Sequence, residues 1–158
     1  MIPIETAMQN LADWQAPGEE RRSLRIAPEG QNWSATITAD RCDAVGCLVW
    51  EIALDTTKPA SCSLEEWAAN IAGRFQGLHE EVKVVEVDRL RNEALLRSET
   101  PTARGDEVRY YEIRLQGTAR MLLKRFHGSR QPGLRREQKA FPLTHEMLAR
   151  LLSDLTAD

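Results

Sequence analysis

The alternation of hydrophobic and polar residues predicts a well-defined hairpin early in the chain. In residues 33–40 and 48–55, apolar and polar positions alternate with a period of two, which is typical of strands with one buried face. If Cys42 faces Cys47 across the turn, every pair on one face is apolar, and a slip by one residue would destroy the match. The predicted pairs are Ala39 with Trp50, Ile37 with Ile52 and Ala35 with Leu54.

Similar alternation predicts two more hairpins and two isolated strands. The hairpins join residues 82–88 to 93–99 and residues 107–115 to 119–126, the single strand covers residues 23–27, and an edge strand is a candidate at 135–141. A three-residue loop containing Gly117 is a standard hairpin connection. It would place Ile113 opposite Met121 and Tyr111 opposite Leu123. In the middle hairpin, Val85 and Val87 would face Leu96 and Ala94.

Helical periodicity and capping residues predict three helices. The helix over residues 63–77 starts at a capping box formed by Ser63 and Glu66. Its apolar residues recur at helical spacing and form one stripe. The helix over residues 144–156 is capped by Thr144, and a short helix over residues 3–14 begins at Pro3. This first helix either packs on its own domain or docks on a second subunit.

These elements predict one α+β domain over residues 1–158, with an N-terminal helix in 1–14 and a connector in 15–22. We expect a single, mainly antiparallel sheet of about six or seven strands, covered by the 63–77 and 144–156 helices. The predicted core consists of Trp33, Ile37, Trp50, Ile52, Leu54, Trp67, Ile71, Phe75, Tyr111, Ile113, Met121, Leu123, Leu148 and Leu152.

Composition bears on the compartment. The longest apolar runs have four or five residues, which predicts no membrane span, and the first residues lack a secretory pattern. Unless an export signal was removed, we expect a cytoplasmic protein. Three cysteines argue against a disulfide scaffold. We interpret Cys42 and Cys47 as small, half-buried residues, with a redox pair as the alternative.

The charge is uneven along the chain and predicts a binding patch. The net charge is −3 overall, but residues 120–139 carry +6 and residues 1–119 carry −7. The predicted register of the third hairpin places Arg114 opposite Arg120 and Tyr110 opposite Lys124, and Arg136 extends the patch. Facing like charges are unfavourable in a sheet, so an acidic partner or another anion would relieve them. In the alternative interpretation, Glu112 and other acids neutralise the patch.

Catalytic signatures are missing from the sequence. His79, His127 and His145 are each predicted in a loop or at a helix end, without a second metal ligand nearby in sequence, so we predict no metal and no cofactor. An enzyme would need a site assembled in space. A pI near 5.7 and the scarcity of aromatic residues beside the basic ones argue against nucleic acid.

The order of elements from Ser23 to the closing helix at Leu143-Thr144 resembles the PsbP-like superfamily. That superfamily includes photosystem accessory subunits, bacterial lipoproteins and chaperones for secreted effectors. More loosely, the order is similar to type III secretion chaperones, which are small, acidic and dimeric. The resemblance rests on element order, so it assigns no functional residue. It implies a non-catalytic binding, chaperone or adaptor protein whose partner is another protein, with a homodimer as one form.

Overall fold

The computed structural model describes residues 1–14 and 20–158 and shows an α+β fold with one mainly antiparallel sheet. Most of the predicted connector, residues 15–19, lies outside the described part. The helices are α1 (Ile4–Asp13), α2 (Leu64–Arg74) and α3 (His145–Leu155). The strands are β1 (Arg22–Ile26), β2 (Trp33–Cys42), β3 (Gly46–Thr56), β4 (Val82–Asp88), β5 (Glu93–Ser98), β6 (Thr102–Arg104), β7 (Glu107–Gln116), β8 (Arg120–Ser129), β9 (Glu137–Lys139) and β10 (Phe141–Thr144). Among these residues, no helix has both the length and the apolar character needed to cross a membrane.

The sheet has ten strands in the described part of the chain, so the expectation of six or seven was wrong. Seven strands form the continuous order β1-β2-β3-β8-β7-β5-β4, and β6, β9 and β10 pair beside this path. All the assigned pairs are antiparallel. Of the three additional strands, β9 lies within the candidate strand at 135–141, whereas β6 was not predicted and β10 begins only at the last residue of that candidate. Each has three or four residues, too few for alternation to define its bounds.

Two of these short strands fill an opening in the sheet. Strand β3 pairs with β8 over Ile52–Asp55 and with β10 over Gly46–Val49. Strand β8 pairs with β9 over Arg125–His127. Residues 137–144 therefore occupy the space between β3 and β8 where these strands no longer pair with each other. This segment leads directly into α3.

A bulge changes the predicted register of the β2–β3 hairpin. The pairs Ile37–Ile52, Ala35–Leu54 and Cys42–Cys47 are confirmed, but Ala39 pairs with Val49 instead of Trp50. The bulge reverses the faces on which the following side chains lie. Val49 is consequently buried, while Trp50 is half-buried outside the core with the Arg21 guanidinium 3.5 Å from its ring centroid. The placement of Trp50 in the core was wrong.

A smaller irregularity affects the β4–β5 hairpin. Val87 faces Ala94 as predicted, but a register shift places Val84 opposite Leu96. Val85 is left 47% exposed on edge strand β4. The predicted pairing of Val85 with Leu96 was wrong because the register shift leaves Val85 without a directly opposite residue on β5.

One hydrophobic core joins the helices and the sheet, and it contains every predicted core residue except Trp50. The capping box is confirmed, since the Ser63 hydroxyl accepts from the Glu66 N–H and the Glu66 carboxylate accepts from the Ser63 N–H. Helix α1 packs against α3, whereas α2 packs against β4 and β5. Ala7 and Leu11 are fully buried, so α1 belongs to its own domain's core. The simple arrangement of two helices that cover the sheet is not what the structure shows.

Candidate functional site

Most of the predicted basic patch lies along β7 and β8, with Arg136 just before β9. The pairing of β7 with β8 differs by two residues from the predicted register. Arg114 faces Leu122, Arg120 faces Gln116, and Tyr110 faces Phe126. Strand β7 continues to Gln116, and the turn begins at Gly117 with φ of +58°. A positive φ suits glycine, so the turn starts one residue later than expected and the opposite strand also starts later. The predicted opposition of Arg114 and Arg120 was wrong.

Four basic residues of the patch each lie beside a carboxylate. The pairs are Arg114 with Glu93 at 3.8 Å, Arg120 with Asp55 at 3.7 Å, Lys124 with Glu51 at 3.8 Å, and Arg136 with Glu112. Most of these side chains are partly exposed, so each pair contributes little to stability. The unfavourable like-charge contact that motivated an external anion is absent from this register.

Glu112 is the best-organised charged group of this region. Its carboxylate is buried and accepts hydrogen bonds from Arg97 at 3.0 Å and from Arg136. Arg136 also donates to the Tyr110 hydroxyl at 3.3 Å and stacks on the Phe126 ring. Burial alone would raise the pKa of Glu112, but the two guanidinium groups outweigh burial and lower it. A carboxylate this fully paired stabilises the sheet and is not available as a general acid.

The structure brings together three chemically distinctive side chains at the turn of the β2–β3 hairpin. Cys42 and Cys47 form a disulfide, and the Nε2 atom of His145 lies 3.8 Å from the Cys42 Sγ atom. All three residues are buried, with 9%, 4% and 5% of their surface exposed. The interpretation of the cysteines as merely small residues was therefore wrong. His145 is the first residue of α3, 103 positions from Cys42.

Local backbone contacts hold this turn against the start of α3. The Asp43 Oδ1 atom accepts from the N–H groups of Val45 and Gly46 at 2.8 and 2.9 Å. These hydrogen bonds, first from Gly46 and then from Val45, lower the pKa of Asp43. The His145 N–H donates to the Val45 carbonyl at 3.0 Å. A side chain at Gly46 would place its Cβ 2.5 Å from the Leu143 carbonyl oxygen, so only glycine permits this approach.

A cavity of about 410 Å³ opens beside the disulfide. Its lining is mainly apolar at Val45, Leu48, Pro142 and Met147, with Arg41 and Asp43 as charged members. Of the three clustered side chains, only Cys47 lines this cavity. The two cysteines consequently have different surroundings: Cys47 is a lining residue of the cavity, and Cys42 has the imidazole 3.8 Å from its sulfur.

The disulfide closes a short loop and therefore contributes little to the stability of the fold. The two cysteines are five positions apart, and the backbone already pairs them across the hairpin. For so short a loop, the chain-entropy argument gives a stabilisation of only about 2 kcal/mol. The same three side chains offer ligand atoms within 4.8 Å of one another, so they could hold a soft metal ion only after reduction to thiolates.

A larger cavity, about 780 Å³, lies near the C-terminal end of α2. Its lining includes Glu80, whose carboxylate pairs with Arg125 at 2.9 Å. In the described residues, the second Glu80 oxygen and one Arg125 nitrogen have no hydrogen-bond partner. The lining also includes His79 and Glu81 but no cysteine, serine or threonine, so the cysteine cluster is the more distinctive site.

Comparisons with protein-family models, with curated proteins and with solved structures gave no match to this chain. The resemblance to the PsbP-like superfamily stays a prediction. The function has to be argued from the site itself.

Sequence reasoning found the cysteine pair but missed its partner. His145 was judged by the residues two to four positions further along the chain, and residues 147–149 offer no imidazole, thiolate or carboxylate as a metal ligand. The contact depends on β10, which pairs with Gly46–Val49 of β3 and ends where α3 begins. The hairpin alone carries no signal that could have located His145. The structure also leaves His79 and His127 outside this cluster.

Proposed function

We propose that this protein is a small binding or chaperone-type protein that captures apolar segments of other proteins at the cavity beside Cys47. The observation that carries the proposal is the mainly apolar lining of this cavity together with Val45, which is 71% exposed at the hairpin turn. Its volume lies in the range of ligand-binding pockets. An exposed aliphatic side chain at the mouth of an apolar cavity is a favourable contact for an apolar partner.

The lining is suited to partners of varied sequence. Met147 is an unbranched, polarisable side chain that adapts to different apolar shapes. Arg41 and Asp43 border the apolar surface and can bind the polar backbone of an extended segment. This combination of an adaptable apolar floor and a polar rim favours a protein segment over a single small molecule.

A peptide array tests the proposal. The protein is incubated with immobilised ten-residue peptides of varied sequence, and bound protein is detected by antibody. We expect preferential binding to peptides rich in Leu, Ile, Phe and Met. Val45→Asp and Met147→Glu should abolish this preference, whereas Val85→Asp, which changes an exposed valine on β4, should leave it intact. Equal binding by all variants, or no preference for apolar peptides, would contradict the proposal.

The two alternative functions have less support from the geometry. For the anion or nucleic-acid module of residues 114–139, the ion pairs of Arg114, Arg120, Lys124 and Arg136 weaken the original argument. For an enzyme with a site assembled in space, the cysteine cluster is the only such assembly we would propose within the described residues. Neither alternative has an observation as direct as the apolar cavity.

The same site bears on the proposed partner and on the compartment. We propose a protein partner, and light scattering at several concentrations measures whether a second copy of this chain is one.

A cytoplasmic location requires the Cys42–Cys47 pair to be reduced for part of the time, because the cytosol keeps thiols reduced. Alkylation of thiols at the moment of cell lysis, followed by mass spectrometry, measures the oxidised fraction. A fully oxidised pair would favour an oxidising compartment.

A further inference from the structure

We propose that the Cys42–Cys47 disulfide is an exchange site for thiols carried on apolar segments, which attack Cys47 from the cavity and release Cys42 beside His145. Exchange at Cys47 rests on the cysteine cluster and on the place of Cys47 in the cavity lining. The substrate class, a cysteine within an apolar segment, rests on the proposed function of the cavity.

The direction of attack follows from the unequal surroundings of the two sulfur atoms. A thiolate displaces one sulfur of a disulfide by attack on the other. Cys47 is less exposed than Cys42, at 4% against 9%, but only Cys47 of the two lines the cavity, so a thiol that enters the cavity meets Cys47 first. Cys42 does not line the cavity and has the His145 Nε2 atom 3.8 Å from its sulfur. Cys47 is therefore the sulfur attacked, and Cys42 is the leaving group.

His145 favours the departure of Cys42. A leaving thiolate departs faster when it is stabilised or protonated. The imidazolium form of His145 can donate its Nε2 hydrogen to the developing thiolate and then transfer that proton as a general acid, which leaves a neutral imidazole. His145 is buried and fixed at the start of α3, where its backbone N–H donates to the Val45 carbonyl of the same hairpin turn. The contact is therefore maintained by backbone structure.

The exchange balances in two steps. The substrate thiolate forms a bond to the Cys47 sulfur, and the Cys42–Cys47 bond breaks. Its electron pair leaves on Cys42, which takes the Nε2 proton of the His145 imidazolium and leaves a neutral imidazole. A second substrate thiolate then attacks the substrate sulfur of this mixed disulfide, forms a substrate disulfide and releases Cys47 as a thiolate. The two protons that the substrate thiols released to water on ionisation return to His145 and to Cys47. In sum, two thiols are oxidised to one disulfide, and the protein pair is reduced to two thiols.

The short loop makes this exchange compatible with a stable fold. The two cysteines are adjacent across a hairpin that the backbone and the contacts of Asp43 already hold. Opening the disulfide frees only a loop of a few residues. The reduced protein should therefore remain folded, and melting measured with and without reductant checks this requirement.

The first experiment traps the mixed disulfide in a Cys62→Ser background, which removes the third cysteine. The oxidised protein is mixed with 2-mercaptoethanol, quenched with N-ethylmaleimide and mapped by fragmentation mass spectrometry. We expect maleimide on Cys42 and mercaptoethanol on Cys47, in at least about tenfold excess over the reverse labelling, because only Cys47 borders the cavity. Equal labelling, reverse labelling or no reduction would overturn the exchange site.

The second experiment tests His145. In His145→Gln, reduction by 2-mercaptoethanol should slow by at least about tenfold, because glutamine cannot transfer a proton. The matched control, His79→Asn, changes an exposed histidine outside the cluster and should react at the original rate. A loosened structure would speed reduction, so slowing is a result that a purely structural role does not produce. His145→Phe provides a second test, and an unchanged rate in either folded variant would overturn the role of His145.

The third experiment separates the substrate class from the chemistry. Two thiol probes are compared, acetyl-Leu-Cys-Leu-amide and acetyl-Ser-Cys-Ser-amide. They have the same length and the same central cysteine and differ only in the two flanking residues. We expect faster reduction by the leucine peptide, and Met147→Glu should remove this advantage over the serine peptide. Equal rates for the two peptides would overturn the apolar substrate class and weaken the proposed function, while the exchange at Cys47 would stand. Failure of the trapping experiment would leave binding on the peptide array unaffected.

Discussion

The β2–β3 and β7–β8 hairpins place their polar and reactive groups in different ways. On β7 and β8, charged side chains find partners on neighbouring strands, such as Glu112 with Arg97 or Arg120 with Asp55. At the β2–β3 turn, Cys42 meets a histidine from a distant helix. The comparison shows that the many charged side chains of β7 and β8 form ion pairs within the sheet. The contact between Cys42 and His145, in contrast, forms only when α3 packs against the hairpin turn.

The largest effect is expected on the core side of the β2–β3 hairpin, where Trp67 of α2 stacks on Trp33 of β2 with ring centroids 6.2 Å apart. Trp67 is 5% exposed, so Trp67→Ala should lower the free energy of unfolding by about 3–5 kcal/mol. The indole Nε1 atom has no partner among the described residues, so Trp67→Phe keeps a ring and should cost much less. Urea denaturation measures both. A loss under about 1 kcal/mol for Trp67→Ala would remove this residue from the core.

The next effect sharpens the comparison at the hairpin turn itself. Gly46→Ala would force β3 away from the Leu143 carbonyl, because the contact is with backbone and cannot be relieved by a rotamer change. We expect a loss of about 1–3 kcal/mol in urea denaturation. Gly73→Ala in α2 is the matched control, since its Cβ meets no atom within 4 Å, and it should be stabilising by about 0.5–1 kcal/mol. A neutral Gly46→Ala would show that β10 is not tightly fixed to the turn.

The third effect concerns the paired carboxylate of the β7–β8 hairpin. Glu112→Gln removes the charge that pairs with Arg97 and Arg136 and should cost about 1–2 kcal/mol, less than a fully buried pair because the arginines are partly exposed. The pKa of Glu112 is lowered in the folded protein. Its contribution is therefore present above the unfolded pKa and is lost as the pH falls through the folded pKa.

Denaturation midpoints measured from neutral to acidic pH test this sign. The native protein should lose more stability over the acidic range than Glu112→Gln does, so the two curves should converge. Parallel curves would mean that the carboxylate does not contribute through its charge. Glu93→Gln, in the more exposed pair with Arg114, is the control and should differ little from the native protein.

The smallest effect is expected for the predicted patch. Arg120→Glu places two acids together by replacing the partner of Asp55, but both side chains are nearly half exposed. The free energy of unfolding should change by less than about 1 kcal/mol, and the change should be smaller still at high salt. Arg114 and Arg120 do not face each other in the observed register, so Arg120→Glu cannot stabilise the protein by removing a repulsion between them. A marked stabilisation would therefore contradict the observed pairing of β7 with β8.

The sequence predicted local features better than registers and distant contacts. The Ser63–Glu66 capping box and the Thr144 cap are local and are confirmed. Alternation identified β2, β3, β7 and β8, but it does not count bulged residues or locate the first residue of a turn. Trp50 and Arg114 were misplaced for these reasons. The cysteine pair was visible in the sequence, while His145 required the path of residues 137–144 between β3 and β8.

The position of residues 137–144 also has a consequence for how the chain is synthesised. A nascent chain emerges with its N-terminal part first. Strands β3 and β8 are therefore complete before the segment that fills the gap between them has been made. Until then, Gly46–Val49 and Arg125–His127 each present backbone groups that lack their final partner, a form of open edge that favours mispairing.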